Sequence, residues 1–203
     1  MLSENQQMAM VLIAGIFLVV VLLIAAFVYF PPGGSFEDGF EDGDYTNPLW
    51  NIYLGTAIVQ QDVVKFGSYA LRVDEAIAKT RKESPISVYG TWINLTNANY
   101  GSYFQISGEG RLIQRIRVVG NKFTAYDGQS IITINRTGLT ALTNTWYYFE
   151  IGYTDNSETS VVSVYGSDGE IIFSETLEPY SVGAVDFISV SSDTTAYFDS
   201  VVR

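Results

Sequence analysis

Residues 111–135 read RLIQRIRVVGNKFTAYDGQSIITIN, three short apolar and β-branched runs separated by Gly120-Asn121 and by Asp127-Gly128. Both dipeptides supply the positive-φ positions that tight hairpins require, so the stretch reads as strand, turn, strand, turn, strand. Within the first run Arg115 and Arg117 share one face while Ile116 and Val118 share the other, the period of two expected of a strand with one wet face.

Working outward, the same grammar recurs at 57–64, 69–74, 86–95, 100–107, 146–153, 159–165, 170–175, 185–191 and 195–202. These runs are rich in β-branched and aromatic residues and are bounded by Gly, Asn, Asp or Ser. Ser167-Asp168-Gly169 marks another tight turn. Residues 146–153 are aromatic on both faces, as suits a central strand lying beneath neighbours or beneath a groove. The charged run 75–83 is too short and too polar for a helix, and is expected to be a basic loop or single turn. Short strands with hairpin-length gaps predict an all-β fold: a two-sheet antiparallel jelly-roll sandwich over residues 36–203.

A different solvent is expected upstream. Residues 8–30 carry no charge and are dominated by Val, Leu, Ile, Ala and Phe. As a helix they would span roughly 35 Å at about 1.5 Å per residue, enough for a bilayer core of about 30 Å. We expect an N-terminal transmembrane helix, preceded by a short tail at 1–7 and followed by a Pro/Gly hinge at 31–35. The tail has no positive charge and the run does not close on small residues, unlike a cleaved signal. All 11 Lys and Arg follow residue 64. The large acidic domain is therefore placed outside and the N-terminus inside, on a cell or a virion, from size rather than flanking charge.

Composition excludes several chemistries. The chain has no cysteine and no histidine, which removes disulfides, thiol nucleophiles, Ser-His-Asp catalysis and His-ligated zinc. Its 14 Tyr and 12 Phe predict a large aromatic core instead. A net charge of -11 argues against nucleic acid as a partner.

Residues 35–50, SFEDGFEDGDYTNPLW, repeat Phe-Glu-Asp-Gly and hold five carboxylates. Oxygen-rich clusters with glycine suit calcium, and Glu41 is the first candidate ligand; a hydrated acidic collar between lipid and domain is the other reading. For a glycan the available aromatic and polar groups include Tyr89, Tyr100, Tyr103, Trp146 and Tyr148. The selected ligand-binding set is Arg115, Arg117, Trp92 and Tyr126, since sugars need aromatic faces and planar polar groups. Arg115 and Arg117 could equally be a plain wet face. Two Asn-x-Thr sequons, at Asn94 and Asn135, are candidate glycosylation sites, with Asn135 the better placed at a strand end.

The order of Phe-Glu-Asp-Gly, Trp50, VVKFGSYALRV (63–73), NTWYYFEIGY (144–153), VSVYGSDGEIIF (162–173) and AYFDSVVR (196–203) resembles the concanavalin A-like lectin/glucanase jelly rolls, the laminin G-like branch in particular. The resemblance covers residues 36–203. It implies glycan binding, adhesion or polysaccharide hydrolysis, with calcium near one end of the sandwich and Asp199 as a second metal ligand. The Glu-x-Asp-x-x-Glu string of the glucanase members is missing, so the expected role is non-catalytic. A membrane-anchored, surface-displayed module that binds a glycan or a surface protein is the leading expectation. The alternative is a structural subunit of a virion or filament, homo-oligomeric through the apolar helix.

Overall fold

The computed structural model describes residues 38–46, 50–82, 87–134 and 140–202. The expected tail, transmembrane helix and hinge lie outside these residues, as does Asn135. Among the described residues there are twelve strands and no helix: β1 (Asn51–Tyr53), β2 (Thr56–Gln60), β3 (Ala70–Arg81), β4 (Val88–Leu95), β5 (Ser102–Gly108), β6 (Arg111–Val119), β7 (Lys122–Asp127), β8 (Ser130–Thr133), β9 (Trp146–Gly152), β10 (Ser160–Tyr165), β11 (Ile171–Leu177) and β12 (Phe187–Val202). All strand pairings are antiparallel. The opening stretch forms β6, β7 and β8, and Gly120 and Asn121 have φ of 58° and 59°, the two positive values of a type I′ hairpin.

The organising element is a long ribbon of β3 and β12. They pair from Phe187↔Arg81 to Ser192↔Ala76, and again from Thr195↔Asp74 to Phe198↔Leu71. The slip between these runs is a bulge at Asp193 and Thr194, opposite Glu75, whose φ is 47°. Bulges of this kind let one strand serve two sheet directions. On the other edge of β12, β5 pairs with the first half and β4 with the second. Each begins a wing: β5-β6-β7-β8 and β4-β9-β10-β11.

The inner faces of the wings meet in the core. Phe123 of β7 sets its ring edge-on to Tyr147 and Phe149 of β9, with centroids 5.1 and 6.1 Å apart. Gln114 of β6 donates to Ser160 Oγ of β10 at 2.8 Å. The all-β expectation therefore holds, and β9 is central between β4 and β10 as its two-faced aromatic pattern suggested.

Two expectations are corrected. Residues 75–81 are not a loop; they continue β3. Ala76, Ala78 and Thr80 point inward while Ile77 and Lys79 are only half-buried, an alternation by size that a reading by charge overlooks. Likewise 192–194 do not separate two strands, because β12 runs through its bulge without losing its β3 partner.

Candidate functional site

On the outward face of the β5 wing, alternation aligns side chains in cross-strand rows. One row is Asn51, Lys79, Ser189, Gln105 and Arg115; the next is Tyr53, Ile77, Ser191, Tyr103 and Arg117. β12 contributes a serine to each row, both buried. Longer side chains stand on β3 to one side and on β5 and β6 to the other. The result is a serine-floored trough about 10 Å wide, twice the strand spacing. One end opens into a cavity of about 310 Å³ lined by Leu54, Glu75, Ala76, Ile77, Tyr103, Ser191, Ser192 and Asp193.

The trough wall is preorganised. The Arg115 guanidinium carbon lies 4.3 Å from the Tyr103 ring centroid, and Arg115 Nε and Nη2 both donate to Gln105 Oε1, at 2.9 and 2.6 Å. Stacking and paired donation hold the guanidinium plane in place. Arg117 Nη2 meets Asp193 Oδ2 at 3.3 Å, while its buried Nε has no acceptor among the described residues. A Cβ at Gly101 would lie 2.2 Å from Asp193 Oδ2 and 2.3 Å from Arg117 Nη2, so a side chain there would displace the tips of this pair. At the other end Lys79 Nζ sits 3.8 Å from the Phe187 ring centroid.

The four sequence-selected ligand residues are thus divided. Arg115 and Arg117 share the trough wall. Tyr126 lies on β7, next to β6 on the side away from the trough, with its ring 5.0 Å from that of Tyr180. Trp92 belongs to another cluster, on β4. It is 5% exposed, with Phe66 and Tyr148 against it at ring distances of 5.7 and 5.4 Å. Lys65 Nζ stands 4.1 Å from its ring centroid, and its Nε1 has no acceptor among the described residues. Burial lowers the Lys65 pKa against the opposing pull of Asp168 and Asp199. Lys79, Gln105, Ser189 and Ser191 were missed; only the register of β3 and β12 reveals them.

The two expected metal ligands have other partners. Asp199 is fully buried, and its Oδ2 accepts the backbone amides of Lys65 and Phe66, each at 2.9 Å. Glu41 accepts the amides of Ser68 and Tyr69 at 3.0 and 3.1 Å. Together these carboxylates fasten the loop that lays Lys65 and Phe66 over Trp92. Among the described residues no three acidic side chains gather to hold a metal ion. Asn94 is 6% exposed and sits in β4 between Trp146 and Tyr197, so its sequon lies in a buried strand rather than on an open loop.

Beside Trp92, Tyr165 Oη donates to Glu150 Oε1 at 3.1 Å. Burial raises the Glu150 pKa, with the Tyr165 bond opposing it, and Tyr165 is pushed up to about 12 by burial and by the Glu150 charge. A raised carboxyl contributes stability that is complete below its ordinary value of 4.5 and is lost as pH rises through the folded value. Glu150→Gln should therefore raise the melting temperature at pH 7, with the gain shrinking toward pH 4. Thermal melts at both pH values check this.

No protein-family model matches the chain, and no curated protein sequence matches it. Among solved structures it is similar to a sialidase, at 11% identity and a TM-score of 0.60 over 84% of this chain, but it spans only 18% of that protein. It is similar to a carbohydrate esterase from Shiga toxin-encoding bacteriophage phi24B at 15% identity and a TM-score of 0.55, covering 81% of this chain and 93% of the esterase. It is also similar to a legume lectin-like domain from Entamoeba histolytica at 7% identity and a TM-score of 0.52, covering 76% and 88%. At these identities the likeness is one of fold: this chain shares the antiparallel β architecture of lectin-like and carbohydrate-associated domains.

Proposed function

We propose that the chain is a non-catalytic glycan-binding module of the concanavalin A-like jelly-roll class, displayed at a membrane surface by residues 8–30. The observation that carries the reading is the trough wall, where Tyr103, Arg115 and Gln105 are locked together beside a floor of small hydroxyl side chains. A sugar asks for fixed polar groups that meet its oxygens, and the guanidinium seated on the Tyr103 ring is one of them. Little side-chain entropy is lost on binding because the wall is already ordered. The fold likeness to a legume lectin-like domain and a carbohydrate esterase supports the reading without selecting a ligand. The non-catalytic part is supported by Asp199 and Glu41, whose oxygens are committed to backbone amides rather than paired across an open cleft.

Full-length protein in detergent, applied to a glycan array, should bind a restricted set of glycans. Tyr103→Ala should weaken that binding at least tenfold, about 1.4 kcal/mol, with little effect from Trp92→Phe. Array binding that is indifferent to Tyr103→Ala would remove the trough as the site.

A further inference from the structure

We infer that the trough takes an acidic polysaccharide, a chain bearing carboxylate or sulfate groups, by its basic half. The inference rests on the glycan-binding reading above and specifies the class of sugar. The whole chain carries 22 acidic against 11 basic residues, yet Lys79 and Arg81 of β3 and Arg115 and Arg117 of β6 all project from this one sheet face. Two carboxylates, Glu75 and Asp193, line the cavity at one end; beyond Phe187 at the other end, the Asp186 carboxylate is committed to the Glu109 amide. Charge is therefore divided along β12. It is mixed near Ser192 and basic from Ser189 to Phe187.

Three of the cations are seated on aromatic rings. Arg115 stacks on Tyr103, while Lys79 and Arg81 approach the Phe187 ring at 3.8 and 5.7 Å. Ring-seated cations keep their orientation, and a guanidinium presents parallel donors that match carboxylate and sulfate oxygens. Repulsion from the rest of the acidic surface is screened beyond about 8–10 Å at physiological salt, so the local cations govern at contact. The arrangement disfavours single-stranded nucleic acid, which needs open aromatic platforms on which bases stack. Here the cations cover the rings.

The test uses the full chain in nonionic detergent, titrated with oligogalacturonates, heparin oligosaccharides, neutral galacto-oligosaccharides and a poly-dT oligonucleotide. Acidic oligosaccharides should bind at least tenfold tighter than neutral ones in 0.1 M salt and weaken steadily as salt rises. The double variant Lys79→Gln/Arg115→Gln should lose at least tenfold in affinity for the acidic sugar. Arg72→Gln, with the same loss of charge per site at the opposite end of β3, should not. Equal or better binding of the neutral oligosaccharides would overturn the acidic specificity and leave the glycan reading standing. Absence of binding to any sugar would end both. Poly-dT that binds as tightly as the acidic sugars and competes with them would show charge adsorption, and the inference would fall.

Discussion

Asp199→Ala should destabilise the domain by about 2–4 kcal/mol and expose Trp92, because two backbone amides lose their acceptor together and each unsatisfied donor costs about 1–3 kcal/mol. Asp199 is fully buried, and Oδ2 alone receives both Lys65 N and Phe66 N. Without that anchor the loop that lays Phe66 and Lys65 over the indole keeps the Glu41 bonds at Ser68 and Tyr69 and the Lys65 Nζ bond to the Ser167 carbonyl. A red shift and quench of tryptophan emission should accompany the fall in melting temperature. Asp199→Asn keeps an acceptor oxygen and should lose far less. Burial raises the Asp199 pKa, opposed by the Phe66 and Lys65 amides, so its contribution is complete below the ordinary value of 3.8 and is lost as pH rises through the folded value. Asp199→Asn, which mimics the protonated acid at every pH, should consequently match the wild type most closely in acid, and the wild type should lose ground to it as pH rises toward neutral. An Ala variant that melts with the wild type and keeps its emission spectrum would show that the loop is held elsewhere.

The features legible in the sequence were those set by local chemistry. Period two and the Gly120-Asn121 turn place β6 and β7, and the shared outward face of Arg115 and Arg117 follows from the same period. Features set by register were not legible. β3 continues through its charged half because β12 and β1 lie on either side of it, and the inward Ala76 and Ala78 carry little hydrophobic signal of their own. Ser189 and Ser191 fall within the expected strand 185–191, but nothing local marks them as a floor; they become one once Lys79 and Gln105 stand on either side. Trp92 and Arg115 stand in one candidate ligand set, with the arginines the better candidates, although the strands that carry them belong to different wings.

The repeated Phe-Glu-Asp-Gly shows the same limit from the other side, and its physical role predicts a large effect for Trp50→Ala, about 3–5 kcal/mol or roughly 6–20 °C in melting temperature. Asp38, from the first copy, accepts Trp50 Nε1 at 2.6 Å and Phe40 N at 3.0 Å. Its carbonyl receives Val201 N at 2.9 Å, which ties the start of the domain to the end of β12. Phe40, from the second copy, packs 5.9 Å from the Trp50 ring, and both are almost wholly buried. Asp38 thus acts as an acceptor that ties this first stretch of the domain to the last strand. Trp50→Phe retains the ring contact but withdraws the indole donor from Asp38, so its cost should be about 1–3 kcal/mol. Because the two residues share one bond, Asp38→Asn and Trp50→Phe should be non-additive in a double-mutant cycle, with a coupling of about 0.5–3 kcal/mol. Simple additivity in chemical denaturation would mean that Trp50 stabilises by volume alone, and that the acid before it is dispensable.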